Sequence, residues 1–224
     1  MASVTENIEN IRISKGFTQQ HVADILGITR ATYNKVENGT RELTISELEN
    51  LSRYFDVPIA ELFDQPRDNE KFKQMYLYTL NHFKKGVPKT KLAKLLYLAD
   101  FTCFYETLLP MSGVRYVCRE YGPVADTFFE LTHVLFDKGK INIKEVNEAF
   151  IISPSTTEKE YHLLSDDDKQ LIDKICDYWK DKRTKEIVNF THEQNPWKLS
   201  REGEYIPYSS IIQEDPDHVY APAI

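Results

Sequence analysis

The stretch TQQHVADILGITRATYNKVENGTR, residues 18–41, constrains this chain most. Apolar residues recur there at helical spacing in two short runs: Val22, Ala23, Ile25 and Leu26, then Tyr33 and Val36. Gly27 stands between the runs, where a helix end favours a residue tolerant of positive φ. Ile28 can plug the turn, and Thr29 is a good cap for the second helix. The spacing turns one stripe of each helix toward a common core. It leaves Arg30, Ala31, Thr32, Asn34 and Lys35 facing outward. A helix that is apolar inside and carries Arg, Thr, Asn and Lys outside can enter a DNA major groove. An ordinary helical hairpin would show the same two stripes, so the flanking segments decide the reading.

Those flanks supply three more helices. Glu6 to Ser14 has Ile8, Ile11 and Arg12 on neighbouring turns. Thr44-Ile45-Ser46-Glu47 is a capping box, with Leu48, Leu51, Tyr54 and Phe55 following at helical spacing. Pro58 suits the first turn of a fifth helix, Pro58 to Phe63, where its missing N–H costs nothing. The order of helices resembles the phage-repressor-like, or XRE-type, helix-turn-helix family. Gly16-Phe17-Thr18-Gln19, Leu26-Gly27-Ile28-Thr29, Val36-Glu37-Asn38-Gly39 and Leu62-Phe63 carry the resemblance. It implies a five-helix DNA-binding domain over residues 1–66. On the DNA-binding face, which includes Thr32, the residues Thr29, Arg30, Ala31, Asn34 and Lys35 would face base edges, with Gln19, Asn38, Thr40 and Arg41 near phosphates.

The charge balance qualifies that expectation. The whole chain carries −7. Residues 1–66 hold six Lys/Arg against ten Asp/Glu, yet residues 27–41 hold Arg30, Lys35 and Arg41 against Glu37 alone. Phosphate neutralisation dominates nonspecific affinity, so such a domain should bind random DNA weakly. It would depend on dimerisation and base contacts, as a homodimer on an inverted repeat.

A polar, Pro-containing junction, DQPRDN, follows at Asp64 to Asn69 and reads as a short linker. A length of 224 residues suits two domains, the second spanning 67–224. The opening MASVTENIEN is polar and acidic, unlike a signal peptide. The longest apolar run, Leu95 to Ala99, is far short of a membrane span. Cys103, Cys118 and Cys176 form no C-x-x-C pair, which suits a reducing cytoplasm. Neither a disulfide nor a zinc site is expected.

The second domain reads as mainly helical with one small antiparallel sheet. Helices are expected over Asn69–Phe83, Lys89–Glu106, Val124–Phe136, a Ser165-capped segment beginning Asp166-Asp167-Asp168, and Thr184–His192. In the second of these, Leu92, Leu95, Leu96, Ala99 and Cys103 form the buried stripe. Strands are expected at Tyr116–Arg119, Ile141–Glu145, Phe150–Ile152 and Glu160–Leu163. The Pro- and Tyr-rich tail after Trp197 reads as irregular.

Catalytic patterns are missing. His192-Glu193 lacks the second His of H-E-x-x-H, and the six His are scattered at 21, 82, 133, 162, 192 and 218. No phosphate-binding glycine loop or nucleophile elbow occurs. Asp166 to Asp168 suit a helix start better than a metal. The chain reads as a non-enzyme with no cofactor.

Two blocks do suggest a family. Lys94-Leu95-Leu96-Tyr97-Leu98-Ala99-Asp100 is followed by Arg115-Tyr116 and Tyr121-Gly122-Pro123-Val124, with Thr191-His192-Glu193 and Pro196-Trp197 beyond. This pattern resembles the Panacea domain, related to the SocA antitoxin, over roughly 70–215. The resemblance implies an antitoxin that binds a small toxin protein encoded next door and represses its own operon. Tyr105, Arg119, Tyr121 and Trp197 are candidate toxin contacts, because exposed aromatics and Arg anchor interfaces. Asp100, Arg115 and Tyr121 could instead form a buried polar cluster. The competing functions are a stand-alone phage- or prophage-type regulator with a sensing or dimerising second domain, and an adaptor passing a toxin to a protease.

Overall fold

Local caps set the first helices. Thr18, Thr29 and Thr44 each accept a hydrogen bond from the backbone N–H three residues on, starting α2 (Gln19–Leu26), α3 (Arg30–Glu37) and α4 (Ile45–Phe55). Glu47 completes the capping box by accepting from the Thr44 N–H at 2.8 Å. Gly27 ends α2 in the left-handed region, at φ 67°. In this computed structural model, which describes residues 4–57, 62, 68–155 and 161–221, the chain divides into two compact units, Met1–Pro66 and Arg67–Ile224.

In the first unit, α1 spans Val4–Ser14, two residues longer at its start than expected. Ile8, Val22, Ala23, Tyr33, Val36, Leu48, Leu51, Phe55 and Leu62 form its core. Ile25 and Leu26 are only half-buried, at the edge of the expected stripe. Tyr54 also falls outside the core: it is exposed and meets the rings of Phe17 and His21. The expected fifth helix, Pro58 to Phe63, lies outside the described residues except for Leu62, which is helical and buried. Most of the junction Asp64 to Asn69 also lies outside them.

The second unit is built around one helix. α5 (Asn69–Asn81) leads through β1 (Val87–Pro88) into α6 (Lys89–Thr107). Every residue of α6 from Lys91 to Thr102 is buried. Leu92, Leu95, Leu96 and Ala99 of the expected stripe are thus one side of a helix covered all round, by α5, α8 (Asp166–Trp179), α9 (Thr184–Glu193) and β3 (Val124–Ala125) among others, whereas Cys103 is only half-buried. Tyr97, Phe101, Tyr116 and Tyr208 make edge-on and stacked ring contacts beside it.

Among the described residues, two three-stranded antiparallel sheets flank the helices, where one was expected. One has the order β1-β5-β4, built on the hairpin of β4 (Ile141–Val146) and β5 (Ala149–Pro154). Asn147 and Glu148 turn it with positive φ at both positions. The other has the order β3-β2-β6, where β2 is Tyr116–Val117 and β6 is Tyr205–Ile206.

Several sequence expectations are corrected here. Residues 124–125 are a strand, not a helix start, because Tyr116 and Val117 pair with them. The Asp126 N–H is also held by the Arg115 carbonyl, at 2.8 Å. Coiling begins only at α7 (Phe128–Asp137). Tyr161 to Leu163 form a turn rather than a strand, with the Leu163 N–H donating to Gln74; Glu160 lies outside the described residues. α10 (Asn195–Lys198) leads into the tail, whose described residues are largely turns but include β6 and short 3-10 helices at Tyr208–Ile211 and Pro216–His218. The tail's Tyr208, Ile211 and Val219 join the core.

Candidate DNA-facing helix and candidate partner-binding face

The outer side of α3 is built by what lies beneath it. Tyr33 and Val36 are fully buried, which fixes the helix's rotation. Arg30, Ala31, Asn34 and Lys35 are then exposed and Thr32 half-exposed, with Thr29 exposed at the cap. Asn38 and Thr40 are exposed just beyond the helix. Asn38 donates to the Asn34 side chain at 2.8 Å, and the Thr40 hydroxyl donates to the Lys35 carbonyl at 3.0 Å. These contacts pre-orient a polar strip along the outer side of α3.

Beneath the strip lies an ion pair that sequence reading missed. Arg12 of α1 donates to the Glu37 carboxylate from Nε and from a terminal nitrogen. A third guanidinium nitrogen reaches the Phe17 carbonyl at 2.9 Å. Gln19 also donates to Glu37, at 2.7 Å, and accepts from Arg30 at 3.4 Å. The Glu37 side chain is only 3% exposed. The one acid counted against the basic strip is therefore neutralised inside the fold. Arg41 differs from Arg30 and Lys35, since Glu47 holds it at 2.7 Å. Burial raises the Glu47 pKa, but hydrogen bonds from Arg41 and Thr44 outweigh it and the net shift is downward.

In the second unit, the two sequence blocks meet. Lys94 is fully buried, and its Nζ donates to the Pro123 carbonyl at 2.7 Å. Gly122 has φ 93°. A Cβ there would stand 2.9 Å from Lys94 Cε, 3.0 Å from Thr191 Oγ1 and 3.2 Å from His192 Cδ2. Only glycine suits both the conformation and the space. His192 stacks on Trp197, with ring centroids 4.0 Å apart and planes 8° from parallel. The Trp197 indole N–H donates to the Arg119 carbonyl at 3.3 Å.

The expected cluster of Asp100, Arg115 and Tyr121 does not form. The buried Asp100 carboxylate accepts from the Ser112 N–H at 2.7 Å, the Ser112 hydroxyl at 2.6 Å and the Tyr116 hydroxyl at 2.9 Å. Arg115 pairs instead with Asp126 and covers the Tyr205 ring. Tyr121 is 61% exposed. These partners come from segments whose pairing no local spacing reveals.

Three of the four candidate toxin contacts lie together. Arg119 and Tyr121 are exposed, and Trp197 is half-buried behind them. Tyr105 stands apart, 11 residues along α6 from Lys94 and half-buried against the core. That separation is about 16 Å of helix. Sequence reading missed Phe129 and Phe150, exposed aromatics that share Lys89 at 5.4 and 4.7 Å from its Nζ. Between these groups runs a groove of about 510 Å³, lined by Lys89, Ala93, Lys94, Arg119, Tyr121 and Phe129 among others.

Burial pushes the Lys94 pKa down to about 7, with the Cys118 thiol opposing. Burial first, and then the Lys94 charge, also lower that of His192, against a hydrogen bond with the Tyr121 backbone. Asp166 to Asp168 open α8, where Asp168 completes a capping box with Ser165 and pairs with Lys71 at 2.9 Å. Among the described residues, no three His, Cys, Asp or Glu gather as a metal site, and no helix is long and apolar enough to cross a membrane.

Comparison with known proteins gives two family matches. Residues 8–62 match the helix-turn-helix model, and residues 92–198 match the model described as antitoxin SocA-like, Panacea domain. Among curated proteins, the chain is 41% identical over 70 residues to the HTH-type transcriptional regulator YqaE of Bacillus subtilis; the match covers 31% of the chain and 60% of that protein. It is 32% identical over 71 residues to the cryptic phage CTXphi transcriptional repressor RstR of Vibrio cholerae, covering 31% and 64%. It is 44% identical over 52 residues to the SPbeta prophage-derived HTH-type regulator YonR of Bacillus subtilis, covering 23% and 48%. The chain thus spans less than two thirds of the length of each of these relatives. No solved structure matches the chain significantly.

Proposed function

We propose that this chain, which joins an XRE-type helix-turn-helix domain to a Panacea domain, is an antitoxin. The second domain, residues 67–224, neutralises a small toxin by direct binding. The first, residues 1–66, represses the shared operon as a homodimer on an inverted repeat. The observation that carries the proposal is positional. The segment matching the antitoxin model, 92–198, also brings Arg119, Tyr121 and Phe129 to one groove, with Trp197 against the Arg119 carbonyl. Neutralisation by binding asks for a face on the order of 800 Å² per partner and for no catalytic group.

In the first domain, Arg30 and Lys35 are exposed and unclaimed by any acidic side chain among the described residues. Arg30 would read a guanine edge, with Asn34 on the same face. Half-sites would lie about one helical turn apart, roughly 34 Å.

The test uses the full chain, co-expressed with the neighbouring small reading frame and a promoter reporter. Growth rescue with repression is expected. Arg30→Ala with Lys35→Ala should abolish repression and keep rescue, whereas Tyr121→Ala with Arg119→Ala should do the reverse. A neighbour that is harmless alone would remove the antitoxin reading.

A second reading has its own support. The curated relatives are transcriptional regulators, one a phage repressor and one prophage-derived. Under that reading the second domain would sense a ligand or dimerise, and repression would survive deletion of the neighbouring gene unchanged.

A further inference from the structure

The outer side of α3 begins with a side chain whose pose is set from below. The Glu37 carboxylate is 3% exposed and, when ionised, can only accept hydrogen bonds. Arg12 of α1 donates to both of its oxygens, and the Phe17 carbonyl holds Arg12 in turn. Gln19, the first residue of α2, donates to the same carboxylate from Nε2. A carboxamide has one donor end and one acceptor end. With the donor end committed to a carboxylate, the acceptor end must face elsewhere. Gln19 Oε1 faces the start of α3 and accepts from Arg30 Nε at 3.4 Å. That bond is long and holds little by itself. Its acceptor is nevertheless fixed in place, because Gln19 is half-buried and tied to a closed ion pair.

The contact decides which donors Arg30 keeps. A guanidinium has five N–H groups in a fork. It can meet the O6 and N7 of guanine with its two terminal nitrogens, or with Nε and one terminal nitrogen. An exposed arginine left alone also spreads over many rotamers. Gln19 engages the Nε–H and so leaves the terminal pair. Among the described residues, no acidic side chain takes that pair. Gln19 itself is drawn away from DNA by the same geometry. A residue at the start of α2 suits a phosphate, but a phosphate needs a donor, and the donor end of Gln19 is the end that Glu37 holds.

We propose that Gln19 is a positioning residue for base reading. It holds Arg30 by Nε so that the two terminal nitrogens meet one guanine, and it adds no phosphate contact of its own. The proposal rests on the DNA-binding reading of α3 and names the residue that sets the pose of its reading side chain.

The full chain, its Gln19→Met and Arg30→Ala variants and the double variant each select sites from a duplex library of random sequence. Affinities are then measured for the preferred site and for copies changed at one position each. The unaltered chain should prefer guanine at one position of each half-site, and Arg30→Ala should lose that preference. Gln19→Met should lower it about fivefold at that position and leave the other positions unchanged. On a duplex lacking that guanine, Gln19→Met should bind as the unaltered chain does. In the Arg30→Ala background it should change nothing further, because the two residues act as a unit. A second measurement needs no variant. In the isotope-labelled chain without DNA, the Arg30 Nε–H should exchange with water more slowly than in free arginine.

Equal loss of affinity on every sequence would make Gln19 a phosphate contact, and no loss on any would make it scaffolding. Either overturns the proposal, as does an Arg30 Nε–H that exchanges like free arginine. Lost preference in Arg30→Ala without any in Gln19→Met removes the positioning role and leaves the DNA reading standing. An Arg30→Ala variant with the original preference removes the reading of α3, and the proposal with it.

Discussion

The two units bury charge in opposite ways. In the first, Arg12 meets Glu37 inside the fold, and the pair is closed by Phe17 and Gln19. In the second, Asp100 is met by neutral donors alone, and Lys94 by one carbonyl. A closed pair makes a rigid platform: α1, α2 and α3 are tied from below, so the outer side of α3 is presented as a finished surface. An open cation keeps part of its bonding capacity in reserve, beside a groove lined with aromatic rings. The first arrangement suits reading a regular polymer. The second leaves a buried side chain with fewer acceptors than donors.

The largest expected effect breaks the closed pair. Glu37→Ala or Arg12→Ala leaves one buried ion alone and should cost the first unit about 3–5 kcal/mol. Denaturant unfolding of the full chain, followed by probes in that unit, measures the loss. The double change Arg12→Met with Glu37→Leu should cost far less. Equal losses in single and double variants would mean the pair is not the tie described.

The open cation should show itself through pH. Burial holds the Lys94 pKa at about 7, below its unfolded value of 10.5. Between those values the unfolded chain binds the extra proton, so stability should rise as pH increases from about 7 toward 10. His192, also lowered by burial and by Lys94, adds the same sign below its ordinary value of 6.5. In Lys94→Met the rise above pH 7 should flatten, and the unit should be more stable at neutral pH. Calorimetric unfolding at several pH values checks both.

A smaller loss is expected for Gly122→Ala. The residue combines φ 93° with close contact to Lys94, Thr191 and His192, and strain of this kind costs about 1–3 kcal/mol. The amide signals of the groove should move with it. The smallest effect on stability, near zero, belongs to Arg30→Ala. Its expected effect is on base preference, roughly 1–3 kcal/mol of lost discrimination at one position. Binding to a panel of operator variants measures it.

What sequence reading captured was local. Thr29 and Thr44 as caps, Gly27 as a helix end and Ser165 before three acids all depend on neighbours within a few residues. The rotation of α3 followed from Tyr33 and Val36 alone. What escaped was long-range. Arg12 and Glu37 are 25 residues apart, and either could have been an exposed charge. Val124 and Ala125 follow a proline and precede a helix, yet β2 recruits them as a strand. β6 pairs with β2 from nearly 90 residues away, so the tail carried no local sign of order. Lys94 was legible as part of a motif, but not as a buried cation. Its burial is imposed by the Tyr121–Val124 segment and α9 closing over α6.

The tail has a consequence for synthesis. Tyr208, Ile211 and Val219 fill the core of the second unit, and the Trp179 indole is satisfied by the Tyr220 carbonyl. Contacts of such sequence separation form late, and domains made first fold first on the ribosome. The helix-turn-helix unit therefore has everything it needs while most of the chain is unmade, whereas the groove-bearing unit closes its core only when residues 205–220 emerge. A nascent chain stalled before that point carries a complete first unit and an unfinished second one.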